Sequence, residues 1–273
     1  MSNNKLGGGV LLGAVASGLA AAALGGAGTA DANCASISGV STGSTGGGTC
    51  TSTPGSFAVG IGPNTTANAN GLFDGAVAYG LDNGASDMTV ANATGNFDFS
   101  LASGKGALAN STGNGNLAIA QGTGTSSTPV TATAGTTPTD SLNVAINLGG
   151  SATKGFTNVV TASGTGNSAT NFGGSATSRN AFVQAIGNGN LAYNQSGDNN
   201  QVSAGLQAVG ETPATPSNLA VAFNALGNNN TVTAIGPFAL AGTLGVNDHN
   251  ASTTFGAVTQ TGPGANIKTT ANP

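Results

Sequence analysis

Charge and large side chains are scarce in this chain. Of its 273 residues, 5% are charged and 4% are aromatic, and tryptophan is absent. An ordinary globular domain has about 25% charged residues, and alanine supplies much of the hydrophobic fraction of 38%. These absences exclude a thick core of leucine, isoleucine and phenylalanine, and they predict a thin one.

Basic residues are too few and too scattered to form a nucleic-acid surface. The chain has five, and each stands alone: Lys5, Lys105, Lys154, Arg179 and Lys268. No basic stripe is present to neutralise a phosphate backbone, so we expect no nucleic-acid partner. The acidic residues also form no run. The formal charge of −4 therefore indicates solubility and does not indicate a partner.

Residue sets for catalysis or metal binding are equally scarce. His249 is the single histidine, so a Ser-His-Asp site elsewhere in the chain or a multi-histidine metal site cannot be built. Two acidic pairs, Asp74 with Asp98 and Asp82 with Asp87, are candidates for a polysaccharide-cleaving site across neighbouring coils. We favour solvated turn residues for both pairs, and we expect no enzyme activity, no cofactor and no metal.

Glycine is abundant, which raises disorder as an alternative. The chain has 47 glycines and 9 prolines, somewhat below the roughly 25–30% that is typical of low-complexity chains. Disordered chains usually combine high net charge with low hydropathy, whereas the mean hydropathy here is +0.08. We favour an ordered repeat over disorder.

An export signal is predicted over residues 1–32. Lys5 precedes a long uncharged apolar stretch, and Ala30 and Ala32 flank Asp31 in an A-x-A site. This order is that of a secretory signal, with the apolar part as a helix. The span is also long enough for an uncleaved membrane anchor. The glycines of this span and the small residues at its end favour cleavage after Ala32. The segment would then contact the membrane only before cleavage.

The two cysteines, Cys34 and Cys50, lie in a Gly/Ser/Thr-rich segment, residues 33–55. An exported chain meets an oxidising environment, so we expect them to form a disulfide. Closing a loop of about 15 residues stabilises a chain by roughly 3 kcal/mol in the chain-entropy model, which suits a clasp at the first coil of a stack. Two free thiols or a redox pair are the alternatives, although the C-x-x-C spacing of a redox pair is absent.

Short strand-like phrases recur over residues 56–262. In each phrase a large apolar residue alternates with alanine or glycine, which is the period-two pattern of a strand. Successive phrases mostly lie about 20–28 positions apart, which is the length of one coil of a stacked repeat. The sequence therefore predicts an all-β parallel β-solenoid (β-helix or β-roll) of irregular coils. The phrases are 57–61, 76–79, 97–99, 117–120, 144–146, 191–193 and 219–223.

Both faces of these strands are apolar. Leu117 and Ile119 point one way, and Ala118 and Ala120 point the other. A strand with one face in water would have polar residues on that face. We therefore expect the second face to be covered by the opposite wall of a narrow coil or by another subunit, which makes further copies of the chain a predicted partner.

Glycine- and asparagine-rich tetrapeptides separate the phrases. Both residue types adopt positive φ at low cost, and stacked asparagines can hydrogen-bond to their copies one coil away. Each tetrapeptide is therefore predicted to turn the chain and to hold successive coils in register. The turn residues are Gly113, Asn114, Asn116, Gly187, Asn188, Asn190, Gly197, Asn200, Gly227 and Asn230.

Three less regular stretches complete the domain assignment. Residues 122–141 are rich in Thr, Ser and Pro, and Pro129 and Pro138 cannot donate to a strand ladder, so a loop insertion is predicted there. Residues 211–216 predict a shorter loop. Residues 263–273 read as a polar tail.

Three short stretches resemble the coil repeats of trimeric autotransporter adhesin heads: Phe-Ala-Val-Gly-Ile-Gly at 57–62, Ala-Val-Ala-Tyr-Gly at 76–80 and Val-Thr-Ala-Ile-Gly at 232–236. The resemblance implies a left-handed parallel β-roll, three chains packed side by side, and a surface that binds host matrix. The coiled-coil stalk and the C-terminal barrel of that family have no counterpart in the sequence. The spacing of Gln and Asn from Gln184 to Gln207 also resembles, over a shorter stretch, curli-type fibre subunits.

These features predict a secreted or cell-surface protein that is structural or adhesin-like. Its expected partners are its own copies and an extracellular matrix, host or cell-wall surface. The first alternative is a self-assembling, curli-like fibre subunit, since open solenoid ends invite end-to-end addition. A further alternative is ice or surface-lattice binding through stacked Thr-x-Thr triplets, of which the sequence has Thr131 with Thr133 and Thr231 with Thr233.

Overall fold

The described part of the chain consists of strands and their connections. The computed structural model describes residues 33–41, 47–80, 87–125, 127–150, 152, 155–177, 180–205, 217–254, 257–261 and 267–269. No helix occurs within these ranges. The predicted signal segment, with Ala30 and Ala32, lies outside them, and so does the short loop predicted at 211–216.

The strands form two long sheets. The first sheet has 12 strands, in the spatial order β2 (Val40–Ser41), β1 (Asn33–Ile37), β4 (Phe57–Ile61), β6 (Gly75–Tyr79), β8 (Phe99–Ser103), β10 (Leu117–Gln121), β12 (Val144–Leu148), β14 (Ser168–Phe172), β16 (Leu191–Gln195), β19 (Val221–Ala225), β21 (Leu240–Leu244) and β23 (Ala257–Thr261).

The second sheet also has 12 strands. Its order is β24 (Ile267–Thr269), β22 (Asn250–Thr253), β20 (Thr231–Ala234), β17 (Gln201–Ala204), β15 (Ala181–Asn188), β13 (Asn158–Thr165), β11 (Val130–Ala134), β9 (Ala107–Asn114), β7 (Thr89–Asn96), β5 (Thr65–Leu72) and β3 (Thr49–Ser52), while β18 (Ser217–Asn218) pairs beside this path with β15.

The chain alternates between the two sheets. From β4 onward each strand of the first sheet is followed by a strand of the second, and each pairs in parallel with its copy from the next coil. One strand from each sheet, with its connections, is called a coil below. This order confirms the prediction of an all-β chain with a parallel, β-solenoid-like stack.

Alanine fills the space between the sheets. Ala118 in β10 pairs in register with Ala145 in β12, and both are fully buried. Ala109 in β9 and Ala132 in β11 occupy the same position in the second sheet and are equally buried. Because alanine side chains are short, the core is thin. The opposite wall of the coil therefore covers the alanine face, which was one of the two covers expected from the sequence.

Asparagine replaces alanine at one inward position in the later coils. Asn147, Asn171, Asn194 and Asn224 are buried one above another in the first sheet. The Nδ2 of each later residue donates to the Oδ1 of the one before it, at 3.0, 2.7 and 2.7 Å. The ladder continues into Thr243, whose Oγ1 donates to Asn224 at 2.6 Å. Buried amides are tolerated here because each has a partner one coil away.

The first coil has an antiparallel cap. β1 pairs antiparallel with β4, and β2 folds back on β1. The predicted disulfide joins Cys34 in β1 to Cys50 in β3, and both cysteines are buried. Gly60 lies against it, since a Cβ at that position would be 2.7 Å from the Cys34 Sγ. The disulfide therefore attaches the cap to the stack.

Two stretches expected to be irregular contain strands. β11 lies inside residues 122–141, where a loop insertion was predicted, and β24 lies inside the predicted tail at 263–273. In β11 the sequence Val-Thr-Ala-Thr-Ala alternates inward and outward residues. Pro129 and Pro138 lie outside its bounds, so neither removes a hydrogen bond from the ladder.

A pair of substitutions in β14 tests the thin core. Ala169→Leu adds three carbons to a fully buried position, and we expect it to lower the free energy of unfolding by about 1–3 kcal/mol through overpacking. Ser168→Leu places the same side chain on the outer face of the same strand, where its register neighbours are Val144 and Leu191. This control is expected to change stability by about 0.5 kcal/mol or less in chemical denaturation. Equal effects from both substitutions would contradict the assigned faces.

Candidate interaction surfaces

Asparagines form a ladder at one corner of the stack. The backbone N–H of Asn143 donates to the side-chain oxygen of Asn116 at 2.9 Å, and the N–H of Asn190 donates to Asn167 at 2.9 Å. Asn167 Nδ2 donates to the carbonyl oxygens of two strands, one of them Gly187 at 2.7 Å. Each residue thus satisfies backbone groups of two coils. We call the following set the corner ladder: Ser56, Asp74, Asp98, Asn116, Asn143, Asn167 and Asn190.

Gly113 and Gly187, two of the predicted turn glycines, lie just before this corner, each followed by an asparagine. Gly113 has a φ of 124°, and a Cβ there would overlap the carbonyl oxygen of Asp140 in the next coil. Asn114 accepts a hydrogen bond from Asn96 at 3.0 Å. In the same position of a later coil, Asn188 follows Gly187 and donates to Asn218 at 3.0 Å. Glycine is therefore required at Gly113 because successive coils approach closely there.

The other predicted turn residues belong to a second corner. Asn200 Nδ2 donates to the carbonyl oxygens of Gly197 at 2.9 Å and Gly227 at 2.6 Å. The N–H of Asn230 donates to the side-chain oxygen of Asn200 at 2.9 Å. The similar Gly-Asn tetrapeptides of the sequence thus fall at two different corners of the coil, because a two-sheet coil must turn twice.

Two carboxylates occupy the corner ladder where other coils have asparagine. Asp74 and Asp98 are adjacent, since the N–H of Asp98 donates to Asp74 Oδ1 at 2.9 Å. Both are buried, which corrects the expectation that they are solvated turn residues. Their Oδ2 atoms have no hydrogen-bond partner. Burial, together with the charge of Asp74, raises the pKa of Asp98 to about 6. The pKa of Asp74 is raised by burial as well.

Asp98→Asn is expected to stabilise the protein at neutral pH. The folded-state pKa of Asp98 is above the unfolded value of 3.8, so the stability from protonated Asp98 is complete below pH 3.8 and is lost as the pH rises through about 6. Asparagine supplies the same donor without a charge. Chemical denaturation at pH 7.5 should show a gain of about 1–3 kcal/mol over the wild type, and at pH 4 the two proteins should be nearly equal. A gain that is equal at both pH values would contradict the buried ionisable group.

The outer surface of the first sheet is mainly apolar, with polar outward residues at Ser103, Gln121, Ser168, Thr170 and Gln195. No charged residue occurs in its strands from β4 to β21. Outward positions follow one another in register, as in Leu117, Val144 and Ser168 in one row and Ile119 and Ile146 in the next. The apolar face is defined as the following outward residues: Phe57, Ile61, Val77, Tyr79, Phe99, Leu101, Leu117, Ile119, Val144, Ile146, Leu148, Phe172, Leu191, Tyr193, Val221, Phe223, Leu240 and Leu244.

A row of exposed Phe and Leu residues runs along one edge of the apolar face. Each of them comes directly before a residue of the corner ladder, or before the residue at the equivalent position of a later coil. Each has a φ between 55° and 60°. Other coils have glycine there, for example Gly115 and Gly189. The left-handed conformation costs an L-residue roughly 1–2 kcal/mol, so these side chains are held exposed at an energetic cost. The apolar ridge comprises Phe73, Phe97, Leu142, Leu219 and Phe238, which are 52–69% exposed.

The strain in the apolar ridge is measurable at Leu142. Leu142→Gly and Leu142→Ala both remove the exposed side chain, but only glycine relieves the positive φ of 55°. We expect the glycine variant to be about 1 kcal/mol more stable than the alanine variant in chemical denaturation. The same pair at Leu117, an outward strand position, is the control, and there alanine should be the more stable residue. A glycine variant at Leu142 that is less stable than alanine would contradict the assigned conformation.

The outer surface of the second sheet differs, because one of its rows is entirely polar. Thr51 Oγ1 donates to Asn68 at 2.7 Å, Asn68 Nδ2 to Asn92 at 2.9 Å, and Asn92 Nδ2 to Asn110 at 2.9 Å. A shallow cavity of about 400 Å³ is lined by Thr51, Asn68 and Asn92 of this row and by the neighbouring Asn70 and Thr94. The polar row consists of Thr51, Asn68, Asn92, Asn110, Thr133, Thr161, Gln184, Ser203, Thr233 and Ser252.

The Thr-x-Thr triplets lie on this second sheet without forming a continuous track. Thr133 and Thr233 belong to the polar row. Thr131 and Thr231 lie in the neighbouring row, where Val159, Phe182 and Gln201 stand between them. A regular threonine lattice is therefore interrupted.

Other chemistry is sparse in the described residues. Within those ranges, no group of three or more His, Cys, Asp or Glu side chains is placed to hold a metal ion, and no helix is both long and apolar enough to cross a bilayer. Lys105 and Asp87 form an ion pair at 3.0 Å. His249 is near the end of the stack, with its Nδ1 against the Asn247 carbonyl.

Comparisons with protein-family models, with curated proteins and with solved structures gave no match. The resemblance to trimeric autotransporter adhesin heads therefore stays a prediction. Function has to be argued from the two outer surfaces.

Proposed function

We propose that the chain is an exported structural or adhesin-like protein that attaches to a neutral, hydroxyl-rich polymer of a cell wall or matrix through the polar row. The single observation behind this proposal is the row itself. Ten coils each have Thr, Asn, Gln or Ser at one registered position of the second sheet. Eight of these side chains reach the surface, whereas Ser203 and Thr233 are buried. Neighbouring members are about 4.8 Å apart, the spacing of paired strands.

The chemistry of the row suits a neutral polymer. Its side chains donate and accept hydrogen bonds and have no charge, as do the hydroxyl and amide groups of polysaccharides. Each hydrogen bond contributes only about 0.5–1.5 kcal/mol, so attachment requires many repeats on both partners. The cavity beside Asn70 and Thr94 is the position where a polymer chain would be held most closely.

One observation supports export. The disulfide between Cys34 and Cys50 is buried in the first coil, and disulfides persist mainly in oxidising compartments. Cleavage after Ala32 would leave β1 and the cap intact.

The cap argues against end-to-end fibre growth as the main function. A fibre subunit needs a free strand edge for the next copy. At the start of the first sheet, β1 pairs antiparallel with β4 and β2 covers β1. The short hairpin blocks parallel addition at this edge, so attachment is the function that the geometry favours.

Co-sedimentation with insoluble cellulose, chitin and peptidoglycan tests the proposal. We expect the exported chain to bind at least one of these polymers, and the double variant Asn70→Ala and Thr94→Ala to weaken binding about tenfold through two lost hydrogen bonds. Both side chains are exposed, so the variant should fold normally.

The matched control is Gln121→Ala, an exposed polar residue of the first sheet. It should leave polymer binding unchanged. The proposal is wrong if none of the polymers binds, or if Gln121→Ala weakens binding as much as the double variant does.

A further inference from the structure

We propose that the apolar face is the docking surface for a second copy of this chain, with the two first sheets packed face to face. This inference does not depend on the proposed polymer binding. It follows from the size, flatness and composition of the apolar face and from the position of the apolar ridge.

The apolar face is large enough for a stable dimer. From β4 to β21 it is nine strands long, or about 40 Å at the usual strand spacing, and with the ridge it is about 20 Å wide. The resulting area is about 800 Å² on each copy, which is the standard size of a specific protein–protein interface. Contiguous exposed apolar patches larger than a few hundred Å² are rare on monomeric proteins.

The face is also flat, as a sheet-on-sheet contact requires. The rings of Phe57 and Phe99 lie over Gly75, where a Cβ would be 2.7–2.8 Å from their atoms. The ring of Phe223 lies over Gly242 in the same way. Glycine at these two positions lets large rings lie along the sheet instead of projecting from it. Two flat apolar sheet faces pack about 10 Å apart, as in a β-sandwich.

The composition of the face favours a copy of itself over a charged partner. Its strands contain no Lys, Arg, Asp or Glu from β4 to β21, so no ion pair is offered to a foreign surface. Most of its exposed strand residues are large and apolar, such as Tyr79, Leu148 and Phe172, while Gln121 and Gln195 are the exposed polar ones. An apolar, uncharged face is complementary to an identical face, which is the condition for an isologous dimer.

The two long edges of the face match under a two-fold rotation about an axis that lies between the two faces and runs parallel to the stacks. That rotation places the edge with the apolar ridge of one copy beside the opposite edge of the other. Leu142 precedes β12, which ends at Leu148, and Phe238 precedes β21, which ends at Leu244. Leu142 and Phe238 thereby meet exposed apolar residues of the same coil in the partner, and Phe73 meets Tyr79 in the same way, whereas Phe97 and Leu219 lie opposite Ser103 and Ala225. This contact accounts for the cost of keeping Leu and Phe in the left-handed conformation.

Face-to-face packing leaves the polar row of both copies exposed on opposite sides. The thin core of each copy would then be flanked by a second, thicker apolar layer between the copies. Burial of the apolar face stabilises each stack by about 25 cal/mol per Å². The dimer is therefore the form in which most of the large apolar side chains are buried.

Sedimentation equilibrium of the exported chain, from 1 to 100 μM, tests the proposal. We expect a dimer. Ile146→Lys places a charge at the centre of the apolar face and should raise the dissociation constant at least a hundredfold. Leu142→Gly should raise it about tenfold while keeping or increasing the stability of each chain. Thr133→Lys adds the same charge on the polar row and is the control that should stay dimeric.

Several results would overturn the proposal. These are a wild-type monomer at 100 μM, a trimer, or an Ile146→Lys variant that dimerises as the wild type does. A monomer that instead binds phosphatidylcholine vesicles through the same face would assign the face to lipid. Polymer binding is measured in a separate experiment. A dimer that binds no polymer would contradict only the proposed function, and a monomer that binds polymer would contradict only the proposed dimer.

Discussion

Register between successive coils is the constraint on which the rest of the structure depends. Parallel strands in both sheets pair residue for residue, and the corner ladder repeats this register outside the strands through side-chain oxygens that accept backbone N–H groups. With a thin alanine core, hydrophobic burial per residue is small. Hydrogen bonds between coils therefore fix the position of each coil, and a shift by one residue would turn alanines outward and large residues inward.

The thin core determines which side chains lie on the two outer surfaces. Only alanine, valine and small polar residues fit between the sheets, as Ala118, Val160 and Asn171 show. Large apolar residues such as Ile119 and Phe223 must then face outward. On the first sheet they gather into the apolar face, whereas on the second sheet one outward row is polar and the neighbouring row mixes threonine with apolar residues such as Leu108 and Phe182. The difference between the faces makes the stack two-sided and suggests separate partners for each side.

The first sheet could be predicted from the sequence more fully than the second. Its strands alternate alanine with a large apolar residue, which is a clear period-two signal, as in β10. The strands of the second sheet often have Asn and Thr at outward positions, so β5 and β7 resemble turn segments, and neither contains one of the strand-like phrases. Phe97 and Leu219 were assigned to strands because they alternate with Asp98 and Ala220, yet both have positive φ at the corner. That conformation depends on stacking against neighbouring coils, which local sequence does not encode.

The distance between two spin labels tests the register most directly. Thr66 and Thr231 lie on the outer surface of the second sheet and are separated by seven successive strand pairings. At about 4.8 Å per pairing, pulsed electron paramagnetic resonance of the doubly labelled protein should give one narrow distance near 34 Å between the two backbones. A broad distribution, or a distance that differs by more than about 10 Å, would contradict a stack of registered coils.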